Sequence, residues 1–282
     1  MNELLRRLDA IPVTALVALA YVSLAFLTDP FEPATEQLIA FGAARGVEVG
    51  NGEGWRLISY AFLHGGTLHL LFNTWALVSI GPALERAIGS KSFAAIYLAG
   101  AVGGGVVAGL WNSPLVPLVG GSGALFGMLG AMLALTWKFG GHGGGGIRSQ
   151  NGRQLLSMIA INLLIGFVVP MVSNAAHIGG LLAGFVAAWL GVRDARAERR
   201  RLAPAMLAAL VFAAGLLLLT LHPVHRWDYH ILAWNRAKTA AEREVHRRAF
   251  GLAIADNEDI VRDDDGMQRE FDALQKSLAF DR

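Results

Sequence analysis

Long apolar runs separated by short charged connections dominate the chain. They lie at 11–28 and at roughly 67–83, 92–111, 122–137, 154–170, 174–191 and 203–221. Each approaches the ~20 residues with which an α-helix crosses a bilayer core. The pattern therefore predicts an all-α, polytopic membrane helix bundle of seven spans. The stretch 29–56 is polar, with Pro30, Pro33 and several carboxylates, and reads as an external connection. Arg6 and Arg7 precede the first run, as they would in a signal peptide. The run is longer than a usual signal core and no Ala-x-Ala site follows it, so it reads as a retained helix.

The basic residues occupy alternate connections. Arg6 and Arg7 come before the first run, Arg86 and Lys91 after the second, and Lys138, Arg148 and Arg153 after the fourth. Arg193, Arg196, Arg199, Arg200 and Arg201 follow the sixth. The positive-inside rule places these on the cytoplasmic face. The segments 29–66, 112–121 and 171–173 then face outward. The expected organisation is a cytoplasmic N-terminus at 1–10, a six-helix core at 11–192 and a basic linker at 193–202. A seventh membrane helix at 203–221 and a charged, extracytoplasmic tail at 222–282 follow. The tail carries no motif, and its composition suggests exposed or interfacial helices around 231–250 and 266–281. The glycine-rich segment 140–146 has the composition of a flexible linker, and His142 within it reads as a solvated loop residue.

Composition sharpens this picture. Hydrophobic residues make up 54% and charged residues 16% of the 282 positions, against about 25% charged in an average soluble domain. The mean hydropathy is +0.45. Many of the 34 glycines fall inside the apolar runs, where they allow helix backbones to approach closely. The absence of cysteine excludes disulfides, thiolate catalysis and zinc–thiolate sites. A net charge of +2 is too small to argue for a nucleic-acid partner.

Polar groups inside hydrocarbon are costly and are functional candidates by default. His69 and Asn73 are four apart and share one helix face. They could present an imidazole and an amide to one point, or glue two helices by hydrogen bonds. His64 lies just before that helix, as an interfacial or a site residue. Ser122 sits in Gly120, Gly121, Ser122, Gly123 at the start of the fourth run. A serine there could attack a carbonyl beside the free N–H groups of a helix start, and it could equally be an ordinary cap. The pattern is not the Gly-x-Ser-x-Gly elbow, because Ala124 holds the last position. His177 follows Asn174 early in the sixth run. Gly180 with Gly184, and Gly123 with Gly127, form small-residue faces that could bring His177 to Ser122, making a nucleophile–base pair. His64, His69 and His177 could also hold a metal, but no carboxylate in the spans joins them and the His-Glu-x-x-His pattern is absent.

Taken together these residues resemble the rhomboid family of intramembrane serine proteases. The resemblance runs from about Gly54 to Gly184. It is carried by Gly54, Trp55, Arg56 through His64, by His69 to Asn73, by Gly81, Pro82 to Arg86 with Gly89, by Gly120 to Gly123 with Gly127, and by Ala176 to Gly180. It implies Ser122 as nucleophile and His177 as general base, with no cofactor. The Ser122 backbone N–H and the side chains of His69 and Asn73 would hold the oxyanion. Phe126, where the family often has tyrosine, would pack on the histidine. Trp55 and Arg56 would belong to an outer loop at the membrane edge, Glu85 and Arg86 would make structural contacts, and 170–173 would cap the site. His64, Gly120, Gly121, Gly123 and Asn174 would support it. Implied substrates are single-span membrane proteins cut near the outer end of their helix. Short connections and the lack of a targeting segment point to a bacterial inner membrane. A catalytically inactive relative that binds membrane clients, and a transporter, are the competing readings. The first would usually lack the serine or the histidine, and the second would usually show internal repeats.

Overall fold

The computed structural model describes residues 11–50, 52–112, 116–139, 146, 148–169 and 172–192, with 215, 239–241, 243, 244 and 248. The predicted N-terminal segment, linker 193–202, most of 140–146, and all but a few residues of the seventh run and tail lie outside them. Among the described residues five helices are long and apolar enough to cross a membrane. They are α5 (Thr67–Ile88), α6 (Ser90–Trp111), α7 (Ser122–Phe139), α8 (Gln150–Val168) and α9 (Asn174–Gly191). The first run forms α1 (Pro12–Leu27), whose 16 residues span about 24 Å. It stops because Asp29 adopts a left-handed φ of 62° and Pro30 cannot donate to the ladder. Gly215, in the predicted seventh run, is helical and buried, with Val106 and Val102 of α6 against its backbone.

Helices α6, α7 and α9 form the centre. A side chain at Gly180 would overlap the Gly123 carbonyl, one at Gly184 the Gly127 carbonyl, and one at Gly127 the Cα of Gly100. Backbone thus meets backbone along three helices, and dispersion over that length replaces the hydrophobic effect that lipid cannot supply. The pairings 123 with 180 and 127 with 184 run in the same direction, so α7 and α9 are parallel. Gly104 opposite Gly123 and Gly100 opposite Gly127 make α6 antiparallel to α7. At the far end, Lys138 Nζ donates to the carbonyls of Trp189 (2.6 Å) and Val192 (2.9 Å), closing the C-terminus of α9 with a cation.

Helix α1 is fixed to α5 by a buried carboxylate. Glu85 accepts from Val13 N (3.0 Å), Thr14 N (2.8 Å) and Thr14 Oγ1 (2.7 Å). Ile11 offers no side-chain cap, so Glu85 satisfies the free N–H groups of α1's first turn and complements its dipole. Glu85 therefore makes the structural contacts expected of it, while Arg86 is exposed.

The segment 29–66, expected only as a polar connection, is folded. It contains α2 (Thr35–Ala40), α3 (Gly46–Gly50), α4 (Arg56–Ser59) and a 3₁₀ turn, Tyr60–Phe62. Arg56 is its buried anchor. Its guanidinium donates to Ile39 O (2.6 Å), Ala43 O (3.0 Å) and Glu53 (2.8 Å), and it lies 4.8 Å from the Trp55 ring centroid. An isolated bridge between Ala44 and Leu118 ties this segment to the strand-like approach to α7. Proline and charge concealed the fold from a reading of hydropathy, because its organising contacts are side chain to carbonyl.

Candidate active site

The first turn of α7 starts from a backbone held on both sides. Gly120 has φ +113°, a conformation that glycine adopts without the Cβ penalty. Its N–H donates to Tyr60 O (3.0 Å). A Cβ there would strike the His69 imidazole, so His69 of α5 faces the residues just before Ser122. Ser122 is the first residue of α7 and is partly exposed. The N–H groups of this first turn have no partner within the helix.

His177 reaches the same turn from α9. The side chain of Ser173 accepts from Ala176 N (3.2 Å) and caps α9, which fixes where the helix begins and therefore the facing of its first turn. Four residues into the helix, the His177 ring is stacked on Phe126, with centroids 4.1 Å apart and planes inclined by 11°. Phe126 follows Ser122 by one turn, so the imidazole lies over the start of α7. His177 is 5% exposed, and neither ring nitrogen bonds to another described side chain or carbonyl. The ring is held by stacking and by the Gly123–Gly180 approach, which leaves both nitrogens without a partner among the described residues.

On the opposite side His69 accepts from Gly65 N at Nδ1 (3.3 Å). Acceptance there assigns the proton of the neutral ring to Nε2, the edge that faces Gly120. Asn73 Nδ2 donates to His69 O (2.9 Å), and its Oδ1 is buried without a partner. An amide nitrogen carries two hydrogens, and one is engaged. His64 is buried beneath His69, edge-on to it at 5.3 Å and to Tyr21 at 4.6 Å. Burial, with His69 beside it, pushes the His64 imidazole down to about 3, so it is neutral. No group of three or more metal-ligating side chains occurs among the described residues.

Of the residues predicted from sequence, His177 meets Phe126 on the helix that Ser122 begins, His69 meets Gly120 just before Ser122, and Asn73 stands one turn after His69, bonded to its carbonyl. His64 sits behind this group. Asn174 turns to α8, donating to Leu163 O (3.2 Å), with Gly166 making room for its amide. Of the expected cap at 170–173, Val172 and Ser173 are described, and Ser173 also accepts from Asn112 Nδ2 (3.2 Å). Sequence reading missed three buried tyrosines. The hydroxyls of Tyr21 and Tyr97 are hydrogen-bonded at 2.7 Å, and Tyr60 Oη donates to Ala101 O (2.6 Å). For Tyr21 and Tyr97 the signal available was a polar-tipped aromatic within an apolar run.

Fold and spans define a helical, multi-pass membrane protein. Residues 51–194 match the Rhomboid domain, half of the chain, and the protein belongs to the rhomboid family. It is 42% identical over 194 residues to the rhomboid protease GluP of Bacillus subtilis (strain 168), covering 68% of this chain and 37% of that one. It is 41% identical over 160 residues to the RHOMBOID-like protein 5 of Arabidopsis thaliana, covering 54% and 49%. It is 39% identical over 137 residues to the RHOMBOID-like protein 4 of the same plant, covering 48% and 33%. The chain thus spans a third to a half of the length of these relatives. The family is one of intramembrane proteases, acting on membrane proteins within the bilayer.

Proposed function

We propose that this chain is an active intramembrane serine endopeptidase with Ser122 as nucleophile and His177 as its general base. The observation that carries the reading is the Phe126–His177 stack. It holds an otherwise unbonded imidazole over the first turn of the helix that Ser122 begins. In the reaction, Ser122 Oγ attacks the carbonyl carbon of a substrate peptide bond and its proton passes to the His177 ring. The oxyanion accepts from the Ser122 backbone N–H, from His69 Nε2–H and from the second hydrogen of the Asn73 amide. His177 then protonates the leaving amine, and water, deprotonated by the same ring, releases the acyl group. Catalytic hydrogen bonds are often long before substrate binds, and Ser122 and His177 are unbonded to each other here.

Substrates are single-span membrane proteins. The chain's orientation puts the N-terminus in the cytoplasm, the candidate site toward the outer face and the whole protein in a bacterial inner membrane, as its basic connections support. Residues 11–192 make the catalytic unit. A seventh membrane helix at 203–221 follows, a reading supported by Gly215, which is helical and buried against Val106, and the tail at 222–282 is extracytoplasmic.

The test is cleavage of a single-span substrate in liposomes by wild type, Ser122→Ala and His177→Ala, with thermal unfolding as the folding control. Wild type cuts and both variants are inert yet folded. Equal cutting by Ser122→Ala would sink the mechanism.

A further inference from the structure

Two consecutive glycines precede Ser122, and an aromatic ring from a different helix fills the space beside each. His69 of α5 lies against Gly120, and Tyr21 of α1 lies against Gly121, where a Cβ would overlap the phenol oxygen. His69 belongs to the family's matched region. Tyr21 does not, since the Rhomboid domain match begins at residue 51.

The phenol is fixed in place. Tyr21 is fully buried, at 0% exposure, and a buried hydroxyl requires a partner. The Tyr21 and Tyr97 hydroxyls share a hydrogen bond of 2.7 Å, and Tyr97 Oη also lies 3.4 Å from Ala61 O. That relay pins the Tyr21 oxygen between α6, the 3₁₀ turn and Gly121. The other end of the contact is aromatic. The Tyr21 ring stands edge-on to His64 (4.6 Å, 66°), and His64 stands edge-on to His69 (5.3 Å, 70°). One residue of α1 therefore touches the serine loop directly and reaches its opposite wall through a single neutral histidine.

We infer that Tyr21 is a positioning residue for this site: its hydroxyl, held by Tyr97, wedges Gly121 and sets where Ser122 stands relative to His69 and His177. The inference rests on the serine-protease reading above. Interiors are close-packed, so deleting the Tyr21 oxygen opens a gap of one atom beside a backbone that has no side chain of its own. The loop relaxes into it and carries Ser122 with it. Helix α1 then contributes to the chemistry as well as to the bundle.

The test uses the full chain in liposomes, with kcat and KM for a single-span substrate. Labelling of Ser122 by a fluorophosphonate, in which the serine oxygen displaces fluoride from phosphorus, is measured in parallel. Rates are normalised to the folded fraction from thermal unfolding. Tyr21→Phe keeps the ring and its packing on His64. It lowers kcat and the labelling rate together, by about tenfold, with KM unchanged. Tyr97→Phe acts in the same direction, and the double variant is no slower than the slower single one, because the hydroxyls act as one unit. Normalised kcat and labelling equal to wild type in Tyr21→Phe overturn the inference, even if that variant melts earlier, since a merely structural hydroxyl would change stability alone. A wild type that neither cuts nor is labelled at Ser122 overturns the protease reading itself, and with it this inference. That result is distinct from an active wild type with an indifferent Tyr21→Phe.

Discussion

The imidazole of His177 lies flat on the ring of Phe126, with centroids 4.1 Å apart and planes inclined by 11°. The two residues belong to different helices, and no hydrogen bond to a described residue holds the imidazole. Its orientation is therefore set by a flat aromatic face and by the backbone approach of Gly123 to Gly180.

Phe126→Leu keeps the volume of the contact roughly constant and removes the flat face. Cleavage in liposomes falls by roughly tenfold through kcat, as expected when a reacting group loses its alignment. Phe126→Tyr retains the face and retains most of the activity. A Phe126→Leu enzyme as fast as wild type would show that stacking does not orient the base.

Asn73→Ala removes the amide proposed to donate its second hydrogen to the oxyanion. The expected loss is on the order of 10²-fold in kcat with little change in KM. His69→Ala behaves alike but also leaves space beside Gly120, so its melting temperature drops further. Steady-state kinetics with a parallel unfolding scan separates the two effects.

Gly180→Val puts a branched side chain where the Gly123 carbonyl already lies. Overpacking of this kind costs about 1–3 kcal/mol or more. The helix must shift, and His177 shifts with it. The variant melts earlier and loses activity in the same step, whereas Ile178→Val, at a position 43% exposed on the same helix, leaves both unchanged.

Glu85→Gln replaces the carboxylate that receives three hydrogen bonds from Val13 and Thr14. The amide keeps one acceptor oxygen and brings a donor against N–H groups, at a cost of about 1–3 kcal/mol. The far end of α1 loosens, while the kcat of the molecules that stay folded is unaffected. Unfolding in detergent and kinetics in liposomes check the two halves.

His64 is buried and neutral, with its affinity for protons lowered from 6.5 to about 3. Below pH 6.5 the unfolded chain gains this proton and the folded chain does not until near pH 3. The stability contributed by the neutral ring is therefore full above that window and falls with acidification through it. Between pH 7 and 5 the loss is on the order of 1–2 kcal/mol. His64→Phe keeps the edge contacts and cannot titrate, so its melting temperature changes less over this interval. Equal pH dependence in both proteins counts against the assignment.

How far the chain could be read depended on what each feature rests upon. Six of the predicted spans appear as helices within a few residues of their expected ends, because burial in hydrocarbon demands continuous apolar backbone-satisfied helix. Spacing put His69 with Asn73 and Gly180 with Gly184 on common faces, since helical periodicity is local. The segment 29–66 was not legible, because Arg56 organises it through the carbonyls of Ile39 and Ala43, and carbonyls carry no sequence signature.

The sequence by itself determined that this is a helical membrane bundle and named the polar residues that its spans must justify. Tertiary structure alone decided which of them meet. His177 lies on Phe126 because α7 and α9 run parallel at backbone contact, and Tyr21 stands against Gly121 because its hydroxyl is held by Tyr97 of α6. Asn174, chosen on its neighbourhood to His177, turns to α8. Periodicity fixes the face of one helix, but the pairing of faces depends on close packing between segments far apart in the chain, and only the folded bundle specifies it.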